Sequence, residues 1–475
     1  MHRPAQPWSV PAKIQQEAFA PVDIASLVFF RIAFGLLMAW EIWRYYTHGW
    51  IAAYWIDPPF LFKYYGFSWV KPWPGPGMYI HCAALGVLGL FIAVGFLYRL
   101  SAALFFLGFS YLFLLDEETY LNHNYLICLF SFLSIFVPAN RAFSIDARLN
   151  PKIRSETIPA WPIWLLRAQM GVVYFYGGVA KIEPDWFRGE PMRTWLQHRT
   201  DFPLLGRFFR EEWTVYGAAY GGLLLDLFVV PFLLWRRTRL AAFLVAVAFH
   251  LVNAKWFTIG VFPWLAISAT SLFLSPSWPR RVVSIFRRGI ISIPVYARNP
   301  ASQRKQWVVL SFVSIYVAIQ VLIPLRYLLY PGRVNWTHEG HRFSWRMMLS
   351  RTYTHAFFYV TDPNRGRTAQ VNPLGYLTER QMNKMGYRPD MILQFAHYLG
   401  STIPHLGLRP LKVEARILNS LNGRKAELFV DPNIDLAAEP WSLKHARWLL
   451  PMHEPLPSRG EDFSEDPFAR QFEGE

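Results

Sequence analysis

The 475-residue sequence contains few charged residues and almost no cysteine. Aspartate, glutamate, lysine and arginine together make up 17% of the chain, whereas hydrophobic residues make up 53%. This composition excludes an ordinary soluble enzyme and indicates a chain that lies partly in lipid. The two cysteines, Cys82 and Cys128, both fall within apolar segments, so we expect no disulfide framework.

The motifs of several common enzyme classes are also missing. The sequence contains no glycine-rich phosphate loop, no HExxH and no CxxC, so the usual signals for nucleotide and zinc chemistry are absent. His338 and His341 lie three residues apart in a polar segment, and loop histidines at this spacing are more often solvated than metal-bound. We therefore expect no metal.

Long apolar runs are the main feature that the sequence does have. Windows of spanning or near-spanning length predict a polytopic α-helical membrane protein with about nine transmembrane helices. These windows cover residues 24–45, 79–98, 100–115, 124–137, 161–180, 213–235, 240–257, 259–274 and 306–323. The fourth and the eighth are short enough to be re-entrant segments.

The net charge of +16 would suit a nucleic-acid-binding protein, but the basic residues are distributed differently. They concentrate in alternate connections between the apolar runs, at residues 141–154, 236–239 and 280–305. The positive-inside rule makes these connections cytoplasmic, so no nucleic acid partner is expected. Helix parity then places the chain after the ninth run on the outer side. Residues 280–288 alternatively form a basic amphipathic patch on lipid headgroups.

Composition divides the chain into four parts. Residues 1–23 form a cytoplasmic segment that lacks the order of a cleaved signal peptide, so the first apolar run is interpreted as an uncleaved anchor. Residues 24–329 form the transmembrane helical domain. Residues 330–454 form an extracytoplasmic, soluble β-rich (α+β) domain, and residues 455–475 form an acidic, flexible tail.

Secondary structure in the soluble part is predicted from alternating patterns and turn residues. Strands are predicted over residues 342–349, 356–361, 369–372, 412–418 and 426–430. Asn422-Gly423 is expected to form a tight turn between the last two strands. A helix is predicted over residues 378–399, with an interruption at 386–389.

Lys181 follows the fifth apolar run, where hydrocarbon gives way to headgroups or to a cavity inside the bundle. Desolvation there disfavours the ammonium form, which would allow the lysine to act as a base. The alternative is a lysine that snorkels to the interface and caps the helix.

Two histidines lie in polar stretches on the same predicted outer side. His123 starts the fourth apolar run within YLNHNY, which could instead be an interfacial helix cap. His250 and Asn253 lie three residues apart and so share one helical face, where a buried histidine bonded to its neighbour is the alternative. The three stretches together indicate a site at the outer edge of the bundle.

Several segments together resemble the vitamin K-dependent γ-glutamyl carboxylases. They are YFYGGVAKIEPDW (174–186) with RGEPM (188–192), NHNYL around His123, FHLVN around His250, FSWRMM (343–348), NPLGYLTERQ (372–381) and LFVDPNIDL (428–436). The resemblance spans roughly residues 24–450 and keeps the family's motif order. The chain resembles short, bacterial members with an HTTM-like membrane domain.

The resemblance implies an integral membrane enzyme of the inner membrane, a carbon–carbon lyase-type carboxylase. Such an enzyme oxidises a naphthoquinol, reduced vitamin K, with O2 to its epoxide and couples this to γ-carboxylation of peptide glutamate with CO2. The implied partners are the lipid bilayer, the quinol and a glutamate-containing peptide or protein. The active site and the soluble domain are then periplasmic, and the pocket must be dry.

The resemblance also implies roles for individual residues. Lys181 is the base that removes the quinol proton, and His123 assists the carboxylation. His250 with Asn253 orients or stabilises the reacting oxygen species. The remaining substrate-binding candidates are Tyr174, Tyr176 and Trp186, as walls for the quinone ring, and Asn122.

The sequence departs from the animal enzymes in two respects. Ala180 occupies the first of two positions that are consecutive lysines in those enzymes, and the shorter chain predicts no full propeptide-binding surface. A quinol epoxidase without carboxylation is therefore one alternative. A non-enzymatic membrane scaffold or a transporter sharing the bundle is the other, although the sequence shows no internal repeat of the kind that transporters use.

Overall fold

The computed structural model describes residues 9–203, 205–257, 259–287, 302–402 and 411–457. Part of the predicted N-terminal segment, the basic stretch 288–301 and the acidic tail from residue 458 lie outside the described residues.

The described residues contain helices in the first two thirds of the chain and a mixed region after them. The helices are α1 (Ser9–Ala18), α2 (Ala25–Thr47), α3 (Trp50–Trp55), α4 (Gly77–Val94), α5 (Tyr98–Leu115), α6 (Asn122–Phe136), α7 (Ile145–Leu149), α8 (Trp161–Val179), α9 (Pro184–Phe187), α10 (Met192–Gln197), α11 (Glu212–Leu234), α12 (Arg239–Trp256), α13 (Phe262–Thr270), α14 (Trp278–Arg287), α15 (Gln303–Leu322), α16 (Val334–Thr337), α17 (Glu379–Met385) and α18 (Pro389–Thr402). The strands are β1 (Pro21–Asp23), β2 (Thr157–Pro159), β3 (Thr352–Asp362), β4 (Arg367–Val371), β5 (Lys412–Leu421) and β6 (Glu427–Leu428).

Six helices in the described residues are long and apolar enough to cross a membrane. They are α2, α4, α5, α11, α12 and the continuous helix Gln303–Leu329, in which α15 runs on into a 3₁₀ segment. The fourth and eighth predicted windows correspond to shorter apolar helices, α6 and Phe262–Phe273. The predicted class of a membrane helical region followed by a β-containing region is supported, whereas the predicted count of nine is not confirmed.

Helix α8 shows why the count differs. It has 19 residues but carries Arg167 and Gln169, which lower its apolar character. Both side chains are buried: Arg167 Nε donates to Leu272 O at 2.7 Å, and Gln169 accepts from Tyr316. Polar groups are tolerated here because both side chains are buried in protein, which supplies these hydrogen-bond partners.

The helices pack as two groups that share one core. Helices α2, α4, α5 and α6 follow one another in contact, and α8, α11, α12 and α13 form the second group, which closes against α2 through α13. Helix α8 lies between α11, α13 and α15. Its C-terminal end therefore faces three other elements.

The soluble part contains an antiparallel sheet of order β4-β3-β5-β6, with α18 packed on it. Phe358 pairs with Ala415 of β5 and with Val371 of β4, which fixes the register. The structure confirms the predicted strands at 356–361, 369–372 and 412–418, whereas only Glu427–Leu428 of the predicted strand at 426–430 is extended in the sheet. The predicted helix with its interruption is also confirmed, as α17 and α18. Strands β1 and β2 form a small separate sheet that the sequence did not predict.

The predicted turn at Asn422-Gly423 is confirmed. Both residues have positive φ, 53° and 77°, and Arg424 N–H donates to Leu421 O at 3.2 Å. Positive φ at both central positions is the requirement of a hairpin turn that follows the twist of its strands, and asparagine with glycine meets it most readily.

The predicted strand at 342–349 is wrong. Phe343, Trp345 and Met348 have φ of 63°, 55° and 52°, which is incompatible with extended backbone. Trp345 is fully buried and stacks on Tyr125 of α6 at 5.1 Å between ring centroids. The alternating side chains thus pack against membrane helices, and this tertiary packing overrides the local strand pattern.

Candidate functional site

Lys181 lies two residues beyond the end of α8 and points into the protein. Its Nζ donates to Asp226 Oδ2 of α11 at 2.6 Å and to Gly177 O at 3.0 Å. The ring of Trp186 lies 5.4 Å from Nζ. The lysine is 7% exposed, so it does not snorkel to solvent. The structure instead places an amine and a carboxylate together in a largely dry environment.

Two glycines allow this pair to form. A Cβ at Gly178 would lie 2.9 Å from Leu227 N, and a Cβ at Gly177 would lie 3.3 Å from Asp226 Oδ2. Side chains at these positions would push α11 away from α8. The Gly-Gly pair in the sequence therefore brings the backbones close enough for the carboxylate of Asp226 to reach Lys181.

The apolar cavity is a space of about 580 Å³ between α8, α11 and α12, and residues of the short helices α9 and α10 also line it. Its walls are mostly aromatic and aliphatic, and they include Met170, Tyr174, Trp186, Trp195, Leu225, Phe249, Trp256 and Phe262. The polar side chains that line it include Lys181, Thr214, Asp226, His250 and Asn253. A few polar groups in an apolar enclosure of this size are typical of a site for a flat organic ligand.

His250 is held in this cavity by a hydrogen-bonded chain. Its Nε2 lies 2.7 Å from Tyr174 Oη, which in turn lies 2.8 Å from Thr270 Oγ1. Nδ1 is buried and has no partner among the described residues. Asn253 lines the same cavity, but no hydrogen bond joins it to His250 in the described part of the chain. The contact through Nε2 therefore fixes the histidine ring in the cavity wall.

His123 lies in a different but adjoining space. We call it the polar cavity; its volume is about 570 Å³, and His123 is one of its lining residues. The Phe262 ring lies between the two histidines, 6.3 Å from the ring of His123 and 5.9 Å from that of His250. Ile259 lines both cavities. The structure thus places Lys181 and His250 in the wall of the apolar cavity and His123 in the wall of the adjoining polar cavity.

The polar cavity is built from both parts of the chain and is rich in charge. Arg380 of α17 lies 2.7 Å from Glu118, Lys384 lies 3.5 Å from the same carboxylate, and Arg44 pairs with Glu41 at 2.6 Å. The lining therefore contains one more basic than acidic side chain. Burial lowers the pKa of Lys384 to about 8, although Glu118 partly opposes this.

Two of the predicted residues line neither cavity. The hydroxyl of Tyr176 donates to Val321 O at 2.6 Å, and its ring faces α15. Asn122 donates to Arg346 O at 3.1 Å and accepts from Tyr120 at 3.0 Å. These contacts tie helices to each other and to the segment before β3.

Asp226, Met347 and Met348 are among the lining residues of the apolar cavity that were not predicted from the sequence. Asp226 is the clearest, because it is a single acidic residue within the run Leu223-Leu224-Leu225-Asp226-Leu227, where an ionisable side chain signals function. Met347 and Met348 also line the cavity, but they belong to the segment that was predicted as a strand.

The loop after Lys181 is anchored to the soluble part through Asp185. Both oxygens of Asp185 accept from Arg424, at 2.7 Å each, and Asn422 Nδ2 donates to it at 2.9 Å. Burial alone would raise the pKa of Asp185, but the hydrogen bonds and charge of Arg424 hold it below its ordinary value. The hairpin turn between β5 and β6 is therefore clamped next to Trp186.

Potential metal ligands are scattered rather than grouped. The described residues contain no cluster of three or more histidine, cysteine, aspartate or glutamate side chains that could hold a metal ion. His338 and His341 are half-buried near Arg342 and Arg388, and desolvation together with these guanidinium groups holds the pKa of each histidine well below its ordinary value.

The sequence matches two family models. The HTTM domain matches residues 19–278, which include Lys181, Asp226 and both cavity histidines. The lumenal domain of vitamin K-dependent gamma-carboxylase matches residues 305–455, which include the four-stranded sheet. No solved structure matches the chain.

Proposed function

The chain belongs to the vitamin K-dependent gamma-carboxylase family, and we propose that it oxidises a naphthoquinol with O2 to the epoxide and couples this reaction to γ-carboxylation of glutamate in a peptide or protein. The observation that carries this proposal is the apolar cavity, which Lys181 and His250 both line together with aromatic side chains.

The cavity residues fit a reduced naphthoquinone. Such a molecule has a flat apolar ring system with a hydroxyl group at each of two ends, and it needs apolar walls with few polar contacts. Trp186, Tyr174 and Phe262 supply aromatic surface. Lys181 and His250 supply the polar contacts for the hydroxyl groups.

Lys181 is proposed to take the proton from a quinol hydroxyl. When bound, reduced vitamin K supplies the reaction with O2 that produces a base strong enough for a glutamate γ-proton. The protein must then exclude water, which would consume that base. The low exposure of Lys181, 7%, and of His250, 2%, supports this requirement.

The polar cavity is proposed to receive the glutamate side chain. Its excess of one basic side chain attracts a carboxylate, and Arg380 and Lys384 from the soluble part face the same space as His123. His123 is then positioned for the carboxylation half of the reaction. Phe262 separates this histidine from the apolar cavity, which supports two distinct half-reactions in neighbouring spaces.

We further propose that both cavities open on the non-cytoplasmic side of a bacterial inner membrane. The matched domain in residues 305–455 is lumenal by description, and it forms part of the polar cavity through α17. The basic connections between the apolar runs support the cytoplasmic placement of the opposite end.

The test is to assay the two half-reactions separately in membranes that contain the protein. Quinol epoxidation is measured with and without a glutamate peptide and bicarbonate. Lys181→Ala is expected to lower epoxidation by about 10²–10⁴-fold, the usual contribution of a general base. His123→Ala is expected to retain most epoxidation and lose carboxylation. Lys412→Ala, on the exposed face of β5, is the control and should behave as the wild type.

Each contrary result has a defined meaning. Full epoxide formation by Lys181→Ala would remove the base assignment. Epoxidation by the wild type without any carboxylation would leave a quinol epoxidase. A wild-type protein inert toward every quinol tested would favour the scaffold.

A further inference from the structure

We propose that Asp226 is the proton acceptor that makes Lys181 a base, so that the two side chains form a proton relay and lysine does not act alone. The inference rests on the proposed function, because it concerns the same quinol proton. It adds a second residue to the step, one that lies 45 positions along the chain from Lys181.

The surroundings of Lys181 show that its nitrogen cannot simply accept a proton. Nζ faces the carboxylate of Asp226 at 2.6 Å, the carbonyl of Gly177 at 3.0 Å and the ring face of Trp186 at 5.4 Å. All three are partners for a donor. An ammonium can direct one N–H toward each of these three partners, and in that form the nitrogen has no free electron pair.

Asp226 is the group that can receive a proton from this ammonium. Its Oδ2 already accepts from Nζ, and no donor in the described part of the chain lies on Oδ1. Gly177 O is an amide oxygen and far less basic. Other titratable groups on the cavity wall, Tyr174 and His250, are hydrogen-bonded to each other at 2.7 Å.

The remaining charged groups near Lys181 are already engaged. Asp185 is held by Arg424, and Glu183 accepts from Asn335. Neither carboxylate lines the apolar cavity. Asp226 is thus the only carboxylate among the described residues that line this cavity, and it lies in direct contact with the lysine.

The proposed step consists of two proton transfers, which together carry one proton from the quinol to Asp226, and it moves no electrons. The O–H bond of the quinol breaks, its proton goes to Lys181 Nζ, and a proton already on Nζ goes to Asp226 Oδ2. The electron pair of the broken bond stays on the quinol oxygen. Lys181 ends the step as an ammonium beside that oxygen, while Asp226 becomes neutral, so no second charge is left unpaired in the dry cavity.

A merely structural counter-ion would behave differently from a relay. If Asp226 only held Lys181 in place, its loss would weaken binding at every pH by a similar factor. In a relay, its loss leaves an ammonium that must release a proton to solvent before it can accept another. Activity would then rise with pH, because solvent takes that proton more readily at high pH.

The first measurement uses a redox-inert probe and needs no turnover. We would bind 2-methyl-1-naphthol, whose absorbance differs between the hydroxyl and the ionised form, to the purified protein at pH 7. The wild type is expected to ionise a large share of the bound naphthol. Asp226→Asn is expected to bind it in the hydroxyl form and to ionise it only at higher pH.

The second measurement follows quinol epoxidation against pH. Asp226→Asn should lose about 100-fold in rate at pH 7 and recover part of it as the pH rises. Added formate or acetate should restore part of the rate at pH 7, since a small carboxylate can occupy the vacated space. Glu190→Gln is the matched control: Glu190 is buried and paired with Arg193 at 2.8 Å but lines neither cavity, so its pH profile should match the wild type.

Several results would overturn the relay. These are an Asp226→Asn protein with ionised naphthol at pH 7, a wild-type pH profile, or a rate loss that carboxylates do not restore. If Asp226→Asn does not fold, Asp226→Glu must still ionise the naphthol with a displaced pH profile, and an unchanged profile counts against the relay. A wild type that ionises naphthol but epoxidises no quinol would refute the proposed function and leave the relay standing.

Discussion

Arg424→Ala should destabilise the contact between the soluble part and the loop that carries Lys181. The substitution removes two hydrogen bonds of 2.7 Å to Asp185, whose side chain is 7% exposed. Breaking one partner of a buried ion pair costs about 3–5 kcal/mol, because the remaining charge stays desolvated. Asn422 at 2.9 Å still bonds the carboxylate, so we expect the lower end, about 3 kcal/mol.

Thermal unfolding of the purified protein measures this loss. About 3 kcal/mol corresponds to a Tm decrease of roughly 6–12 °C for a domain of 150–250 residues. The pH dependence provides a second check. Since Arg424 depresses the pKa of Asp185, the stabilisation is fully present above the ordinary aspartate pKa and is lost as the pH falls through the lower, folded value. The gap between wild type and variant should therefore be constant near neutral pH and shrink in strong acid.

The matched control is an exposed ion pair in the same sheet. Lys412 and Glu414 lie 2.7 Å apart, but their side chains are 40% and 24% exposed. Lys412→Ala should change the unfolding free energy by less than about 1 kcal/mol. A loss below about 1 kcal/mol for Arg424→Ala, or an effect equal to that of the control, would refute the reasoning. Weaker quinol binding by Arg424→Ala is also expected, because Trp186 follows Asp185 directly.

Three further predictions concern the cavities and the topology. The apparent KM for a glutamate peptide should increase above about pH 8 in the wild type, because Lys384 loses its charge through a pKa of about 8. The KM of Lys384→Arg should stay constant in this pH range, and a KM independent of pH in both proteins would contradict the prediction. Gly221→Leu should raise the KM for quinol without unfolding the protein, since a Cβ there meets no atom within 4 Å and the side chain enters the apolar cavity. Gly178→Ala should instead destabilise the fold, because its Cβ would force α11 away from α8. Equal Tm values for the two variants would refute this contrast. Cysteines introduced at Arg281 and Arg365 should be labelled from opposite sides of the membrane. Background labelling should be low, because the native Cys82 and Cys128 are buried. Labelling of both introduced cysteines from one side would reject the proposed topology.

Local patterns in the sequence predicted the features that depend on neighbouring residues. Apolar runs marked the membrane helices, because a bilayer requires about 20 apolar residues in succession. Asn422-Gly423 marked the hairpin, because its backbone needs positive φ. The position of Lys181 at the end of α8 was also predictable, since a charge that follows an apolar run marks the end of that run.

The number of membrane helices could be determined only from the tertiary structure. Whether a run such as α8 faces lipid or protein depends on its neighbours, and hydropathy does not record them. Arg167 and Gln169 each have a hydrogen-bond partner more than 100 positions away, Leu272 and Tyr316 respectively. The segment 342–349 differs from its prediction for the same reason, because Trp345 packs on α6 instead of pairing in a sheet.

The candidate site also has features that the sequence determined and features that only the tertiary structure decided. The sequence by itself determined the candidate side chains, namely Lys181, His123 and His250, because residue type and spacing are local properties. Only the tertiary structure decided that Asp226 is the partner of Lys181 and that Phe262 separates His123 from His250. Such pairings depend on how closely α8 and α11 approach, and packing between distant segments sets that distance.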